Sequence, residues 1–185
     1  MKIEKGLFDI FVPDFVYSEE WEQWMTLIST TTCAYCWKMF GKIFRADERP
    51  EKIPPAHYNC RCEIIPMFAV TAGNATRDGH EGADYWVLHY GRLPDCYITK
   101  EDARAYGWIK WRGNLAEVVP GRMIGGNIYQ NRDQRLPDVP GRVWYEADIN
   151  YQSGYRNLQR IVFSNDGLIF ATYNHFISFV VIKGG

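Results

Sequence analysis

Hydrophobic and polar positions change their rhythm along this chain. From residue 123 onward they alternate with a period of two in short runs, 123–129, 143–149, 158–164, 168–172 and 179–182. These runs are rich in β-branched and aromatic residues and are separated by turn formers. Each predicts a strand, and Asn165-Asp166-Gly167 between the third and fourth predicts a hairpin. Between 83 and 119 the rhythm is helical. The spacing predicts one helix over 83–90 and a second over 100–106, opened by Thr99 with Asp102 three residues on and stopped by Gly107. A short third helix over 114–119 is stopped by Pro120-Gly121. Helices followed by a meander of strands predict an α+β fold, with N-terminal helices packed on an antiparallel sheet of about five strands.

The first 70 residues read differently. Trp21, Trp24, Met25, Leu27 and Ile28 recur among acidic residues at a spacing that predicts a short amphipathic helix, with Ser18 as its cap. From 32 to 67, Pro50, Pro54, Pro55 and Pro66 break any long helix, and four of the five cysteines gather: Cys33, Cys36, Cys60 and Cys62. Residues 71–82 are small, polar and glycine-rich, the composition of an exposed linker. The chain is therefore expected to divide into a cysteine-rich module at 1–70, a linker at 71–82 and a domain at 83–185.

Composition narrows the function classes. A chain of 185 residues, 46% hydrophobic and 16% aromatic, can bury a sizeable core. A formal net charge of -1 excludes the broad basic field of a general nucleic-acid binder, so any polyanion recognition is local. Lys2 and Lys5 precede no apolar run of signal-peptide length, and no stretch is long enough to span a membrane as a helix. Ordinary secretory export and a membrane partner are not expected.

Candidate chemistry concentrates between Trp144 and Arg160. On a strand, Trp144, Glu146 and Asp148 share one face while Val143, Tyr145, Ala147 and Ile149 fill a core behind it. Arg156 and Arg160 follow. Two guanidiniums after a carboxylate point to anion handling with a base at hand, and Asp148 is placed to orient the arginine fork. Taken singly, a glutamate on a strand is ordinarily a solvated face, and a histidine near a C-terminus is ordinarily surface. Trp108 and Trp144 are core candidates, and Cys96 is a small apolar filler.

Four segments lift these residues above that background: LPDCYITKEDARAYGW, GNLAEVVPGRMIGGNIYQNRDQRLP, GRVWYEADINYQSGYRN and TYNHF. In order and spacing they resemble the barnase-like family of guanyl-preferring bacterial ribonucleases over 83–183. The resemblance implies RNA cleavage through a 2′,3′-cyclic phosphate with no cofactor. It implies Glu146 as the base, His175 as the acid, and Lys100, Arg156 and Arg160 as phosphate-binding cations. Tyr129, Gln130, Asn131 and Arg132 match the guanine-binding loop. Two positions depart from the family. Asp133 stands where a glutamate accepts from the guanine edge, which weakens the expected base preference, and Phe176 replaces a tyrosine, losing a hydroxyl while keeping a stacking ring. An active ribonuclease endangers its producer, so the resemblance also implies an acidic, barstar-like inhibitor as partner.

Cys33-x-x-Cys36 and the run PPAHYNCRC, with His57, resemble the end of the phage head morphogenesis (Mu F-like) family, although Tyr58 stands where that family usually has proline. This implies a toxin with a C-terminal nuclease, delivered by a phage-like or specialised export route and active in the target-cell cytoplasm, with phage or capsid components as further partners. The competing class is a non-catalytic virion protein whose ribonuclease-like domain binds RNA or a partner. Four thiolates, or three plus the His57 imidazole, complete a tetrahedral zinc shell; two disulfides or free buried thiols fit the same spacing.

Overall fold

The computed structural model describes residues 11–185. Lys2, Lys5 and the rest of the expected first module before residue 11 lie outside them. In chain order the elements are β1 (Val16–Thr26), α1 (Ala34–Met39), β2 (Ile43–Arg45), β3 (Cys62–Thr71), α2 (Ala83–Tyr90), β4 (Tyr97–Ile98) and α3 (Lys100–Ala105). Then come α4 (Leu115–Val118), β5 (Met123–Ile128), β6 (Trp144–Asp148), β7 (Arg160–Ser164), β8 (Ile169–Thr172) and β9 (Val180–Lys183).

The strands join in one sheet of order β2-β1-β3-β9-β8-β7-β6-β5-β4. Pairs are antiparallel except β3–β9 and β4–β5, which are parallel. The expected α+β class stands, but the sheet has nine strands among the described residues rather than about five, and the helices are not N-terminal. The five expected strands are β5 to β9. The extra ones are β4 and three from the cysteine-rich region, which dock through Ala69↔Val181, Val70↔Ile182 and Thr71↔Lys183.

The largest correction is β1, expected as a helix. Trp21 and Trp24 are three apart, a helical spacing, but on a strand that odd separation sends them to opposite faces. Both faces are buried. Trp21 packs edge-on to Phe170 at 5.2 Å, whereas Trp24 packs with Met39, Phe44 and Ala56. Pairing with β2 on one side and β3 on the other decides the conformation, a long-range term that local periodicity does not contain. Ser18 still acts as an acceptor for the Glu20 and Trp21 amides, at 3.3 and 3.1 Å, but where the β1–β3 register shifts rather than at a helix start.

Alternation along β6 holds for Ala147 and Ile149, whereas Val143 and Tyr145 are half-buried, and Trp144 and Asp148 on the face expected to be polar are buried. Register carries Glu146 to Val162, and Val162 to Phe170, on one face. Ala147 and Ile149 enter the other core, with Ile161 and Ala171 and with Ala83 and Val87 of α2. Helix α2 has the expected bounds, and α3 is capped as expected by Thr99, whose hydroxyl accepts from the Asp102 amide at 3.1 Å.

Residues 71–82 are exposed at Asn74, Asp78, His80 and Glu81, but Ala72, Gly73, Ala75, Thr76 and Gly82 are buried. Asp84, fully buried at the start of α2, accepts from the Gly73 and Ala75 amides at 2.7 and 3.0 Å and from the Thr76 hydroxyl at 3.0 Å. Tyr173 donates to the Ala75 carbonyl at 2.8 Å. Asp84→Ala strands three buried donors and is expected to destabilise the protein by about 3 kcal/mol, readable as a lowered urea midpoint at unchanged slope.

Candidate active site

The site grows from β6. Opposite Arg160 in the β6–β7 register sits Asp148, which is fully buried. Arg156, from the loop between these strands, donates Nε and Nη2 to the two Asp148 oxygens at 2.6 Å each. Arg160 adds Nε at 2.8 Å and donates Nη1 to Asn157 Oδ1 and the Gln159 carbonyl. Burial opposes the charge on Arg156, yet the Asp148 carboxylate outweighs it and holds the pKa above its ordinary value. Arg160 is pulled below its ordinary value by desolvation, despite the same carboxylate. The expectation that Asp148 orients the arginine fork is met, but by burial instead of a polar open face.

Two residues back on the same face, Glu146 pairs with Lys100 Nζ; its side chain is 13% exposed. Lys100 opens α3, and Asn127 of β5 receives its backbone amide at 3.1 Å, fixing where that helix begins. Nothing in the local pattern marks Asn127, because the contact joins residues 27 positions apart.

Loop 129–136 follows β5. Asn131 has φ +44 and is buried, its side chain bonding the Leu136 carbonyl and amide at 2.9 and 3.2 Å. Its amide group therefore closes the loop. Tyr129 stacks on Phe176 at 4.9 Å, and burial pushes its phenol up to about 12, so it stays a donor at working pH. His175 and Phe176 are consecutive left-handed residues, with φ +57 and +68. They are held by the His175 amide on the Leu158 carbonyl at 2.9 Å and the Phe176 amide on Thr172 Oγ1 at 2.8 Å.

Glu146, His175, Phe176, Tyr129, Gln130, Asn131, Arg132 and Asp133 all line one pocket of about 470 Å³. Lys100 reaches it through Glu146. Arg156 and Arg160 do not line it; they lie behind the same strand face, committed to Asp148.

A second cluster lies in the cysteine-rich region. His57 Nε2 stands 3.2 Å from both Cys33 Sγ and Cys36 Sγ, and Cys36 Sγ is 3.9 Å from Cys60 Sγ. Cys62 stands with Cys36 and Cys60 and contacts the Thr26 hydroxyl at 3.3 Å. The five thiols are free of disulfides. His57 Nδ1 donates to the Tyr58 carbonyl at 2.8 Å, which leaves the Nε2 lone pair aimed at the sulfurs, the arrangement a metal-ligating histidine adopts. These residues form a cysteine-histidine set able to hold a soft cation.

The ribonuclease family model matches residues 83–183, more than half of the chain. The chain belongs to this barnase-like ribonuclease family. Its ribonuclease region is 54% identical over 101 residues to a protein named Ribonuclease from Heyndrickxia coagulans, covering 55% of this chain and 92% of that one. It is equally similar to Ribonucleases from Bacillus intermedius and Bacillus pumilus, of whose length it spans 62%. Residues 16–65 match the family model described as Phage Mu protein F like protein.

In this ribonuclease the Asp148 group is the most deeply desolvated charge cluster described. Asp148→Ala would bury two guanidiniums without a counter-ion, and is expected to cost roughly 3–5 kcal/mol in urea unfolding.

Proposed function

We propose that this chain is a metal-independent endoribonuclease that cuts single-stranded RNA, preferring the bond after guanosine, by transphosphorylation and then hydrolysis. The observation that carries the reading is that Glu146 and His175 open onto one pocket with the loop 129–133. In the first step Glu146 takes the proton from the ribose 2′-hydroxyl, whose oxygen attacks the adjacent phosphorus. His175 protonates the departing 5′-oxygen, giving a 2′,3′-cyclic phosphate. Hydrolysis reverses the roles: His175 takes a proton from water and Glu146 returns one to the 2′-oxygen. Lys100 sits beside Glu146 where equatorial phosphorane charge develops. Arg156 gives Nε and Nη2 to Asp148 and keeps Nη1 for the phosphate, while Arg160 adds positive potential from behind.

Base preference falls to Arg132, Asp133 and the backbone amides around Asn131. Phe176 on Tyr129 supplies an aromatic platform without the hydroxyl of the family's tyrosine. In the cell we assign the chain to a phage-type or polymorphic toxin, restrained by an acidic barstar-like inhibitor that would pair with Lys100, Arg132, Arg156 and Arg160. The Mu F-like match at 16–65 supports that setting and a phage-like delivery route to the target cytoplasm. It equally suits the rival class, a virion protein that binds RNA without cutting it. We assign the N-terminal module as residues 1–70, stapled by zinc on Cys33, Cys36, Cys60 and Cys62, with His57 as the alternate ligand.

Glu146→Ala and His175→Ala are each expected to cost on the order of 10² to 10⁴ in the rate of RNA cleavage. Wild type should give a bell-shaped pH profile, cut after guanosine faster than after other bases, and spare DNA, which lacks the internal nucleophile. RNA binding without cleavage would select the virion class; comparable cutting of DNA, or activity surviving both substitutions, would sink the mechanism. For the module, metal analysis should find about one zinc per chain, and chelation should lower the thermal midpoint while RNA cleavage persists. Mass spectrometry that finds two disulfides and no metal would overturn the zinc assignment.

A further inference from the structure

We propose that Arg135 is a positioning residue through which the N-terminal module sets the width of the ribonuclease pocket; the inference rests on the ribonuclease reading of that pocket. Arg135, which itself lines the pocket, touches two pieces of chain far apart in sequence, 176–177 and 40–43. Its Nη1 donates to the Phe176 and Ile177 carbonyls at 3.4 and 2.5 Å, directly after His175. Its own carbonyl accepts from the Ile43 amide at 2.7 Å. Its guanidinium carbon lies 5.9 Å over the Phe40 ring, and its side chain crosses Gly41 so closely that an added Cβ there would stand 3.2 Å from Nε.

Each end of this bridge is anchored. Phe40 closes α1, its amide on the Cys36 carbonyl at 3.0 Å, so the contact line runs back to the cysteine cluster. At the other end, His175 and Phe176 hold left-handed backbone that side chains disfavour, and such segments persist only where neighbours determine them. The base loop is built the same way, with Asn131 and Gln134 at φ +44 and +50. One guanidinium thus ties two unfavourable loop conformations to each other across the pocket. Glu146 needs no such tie, since β5 and β7 flank it. Losing Arg135 therefore shifts the acid and base-binding walls relative to a fixed Glu146. Transition-state geometry is sensitive to displacements of an ångström.

The test uses the full chain with Arg135→Gln, Arg135→Lys and Phe40→Leu. It measures steady-state cleavage of guanylyl- and adenylyl-(3′,5′)-uridine, binding of guanosine 3′-monophosphate, and backbone hydrogen exchange. Arg135→Gln is expected to raise KM for the guanylyl substrate and weaken the nucleotide about 10-fold, with a smaller fall in kcat and reduced guanosine preference. Lysine should restore only part of this, because it keeps the charge but loses the fork. Phe40→Leu, outside the pocket, should move KM the same way, and both Arg135→Gln and Phe40→Leu should speed exchange at 175–178. A lower thermal midpoint with KM, base preference and exchange at 175–178 unchanged would overturn the proposal. So would an effect of Arg135→Gln that Phe40→Leu does not share, which would remove the N-terminal module from it. If wild type neither cleaves RNA nor binds the nucleotide, the ribonuclease reading fails instead, and exchange at 175–178 still decides whether Arg135 holds that loop.

Discussion

A carboxylate sealed inside the protein between two guanidiniums fixes the geometry of the site. Asp148 has no exposed surface, so its charge is tolerable only because Arg156 and Arg160 both reach it. That requirement shapes the loop between β6 and β7, where Asn157 bonds both the Ile149 carbonyl and Arg160. It also fixes both guanidiniums on the Asp148 end of the strand that carries Glu146.

The same strand explains why Glu146 and the core coexist. Ala147, and Ile149 just past the strand, fill the core under α2, while even positions run from Trp144 through Glu146 to Asp148. Glu146 thus lies on an element paired on both sides. His175 lies on a loop whose backbone is held by single hydrogen bonds. Glu146 and His175 thus sit on differently supported backbone, one paired on both sides and the other in a loop whose Phe176 and Ile177 carbonyls accept from Arg135.

Legibility in the sequence followed the range of the interactions. Helix α2, the Thr99 cap and strands β5 to β9 are set by local spacing and turn residues, and they were readable. The pocket was readable because its residues match a family frame residue by residue. The tryptophans of β1 misled because two buried faces of a strand mimic one face of a helix when the residues stand three apart. Asn127, Arg135 and the packing of 71–82 depend on partners far away in sequence, and no local pattern announces them. Asn131 belongs to the loop that the resemblance marks, and its side chain closes that loop on the Leu136 amide and carbonyl.

The parallel docking of β3 on β9 has a consequence for solubility. A strand at the margin of a sheet exposes a row of unpaired amides and carbonyls, a template for adventitious strand addition. In this molecule β9, with three of its four residues buried, is covered by β3, and Met67 and Ala69 roof the apolar layer of Phe170, Phe179 and Val181. Cutting the chain after Thr71 would bare that margin and that layer together. The end of β3 that shields this flank, Met67 to Thr71, lies between the two family matches, and Trp21 of the phage-like segment adds its ring to Phe170.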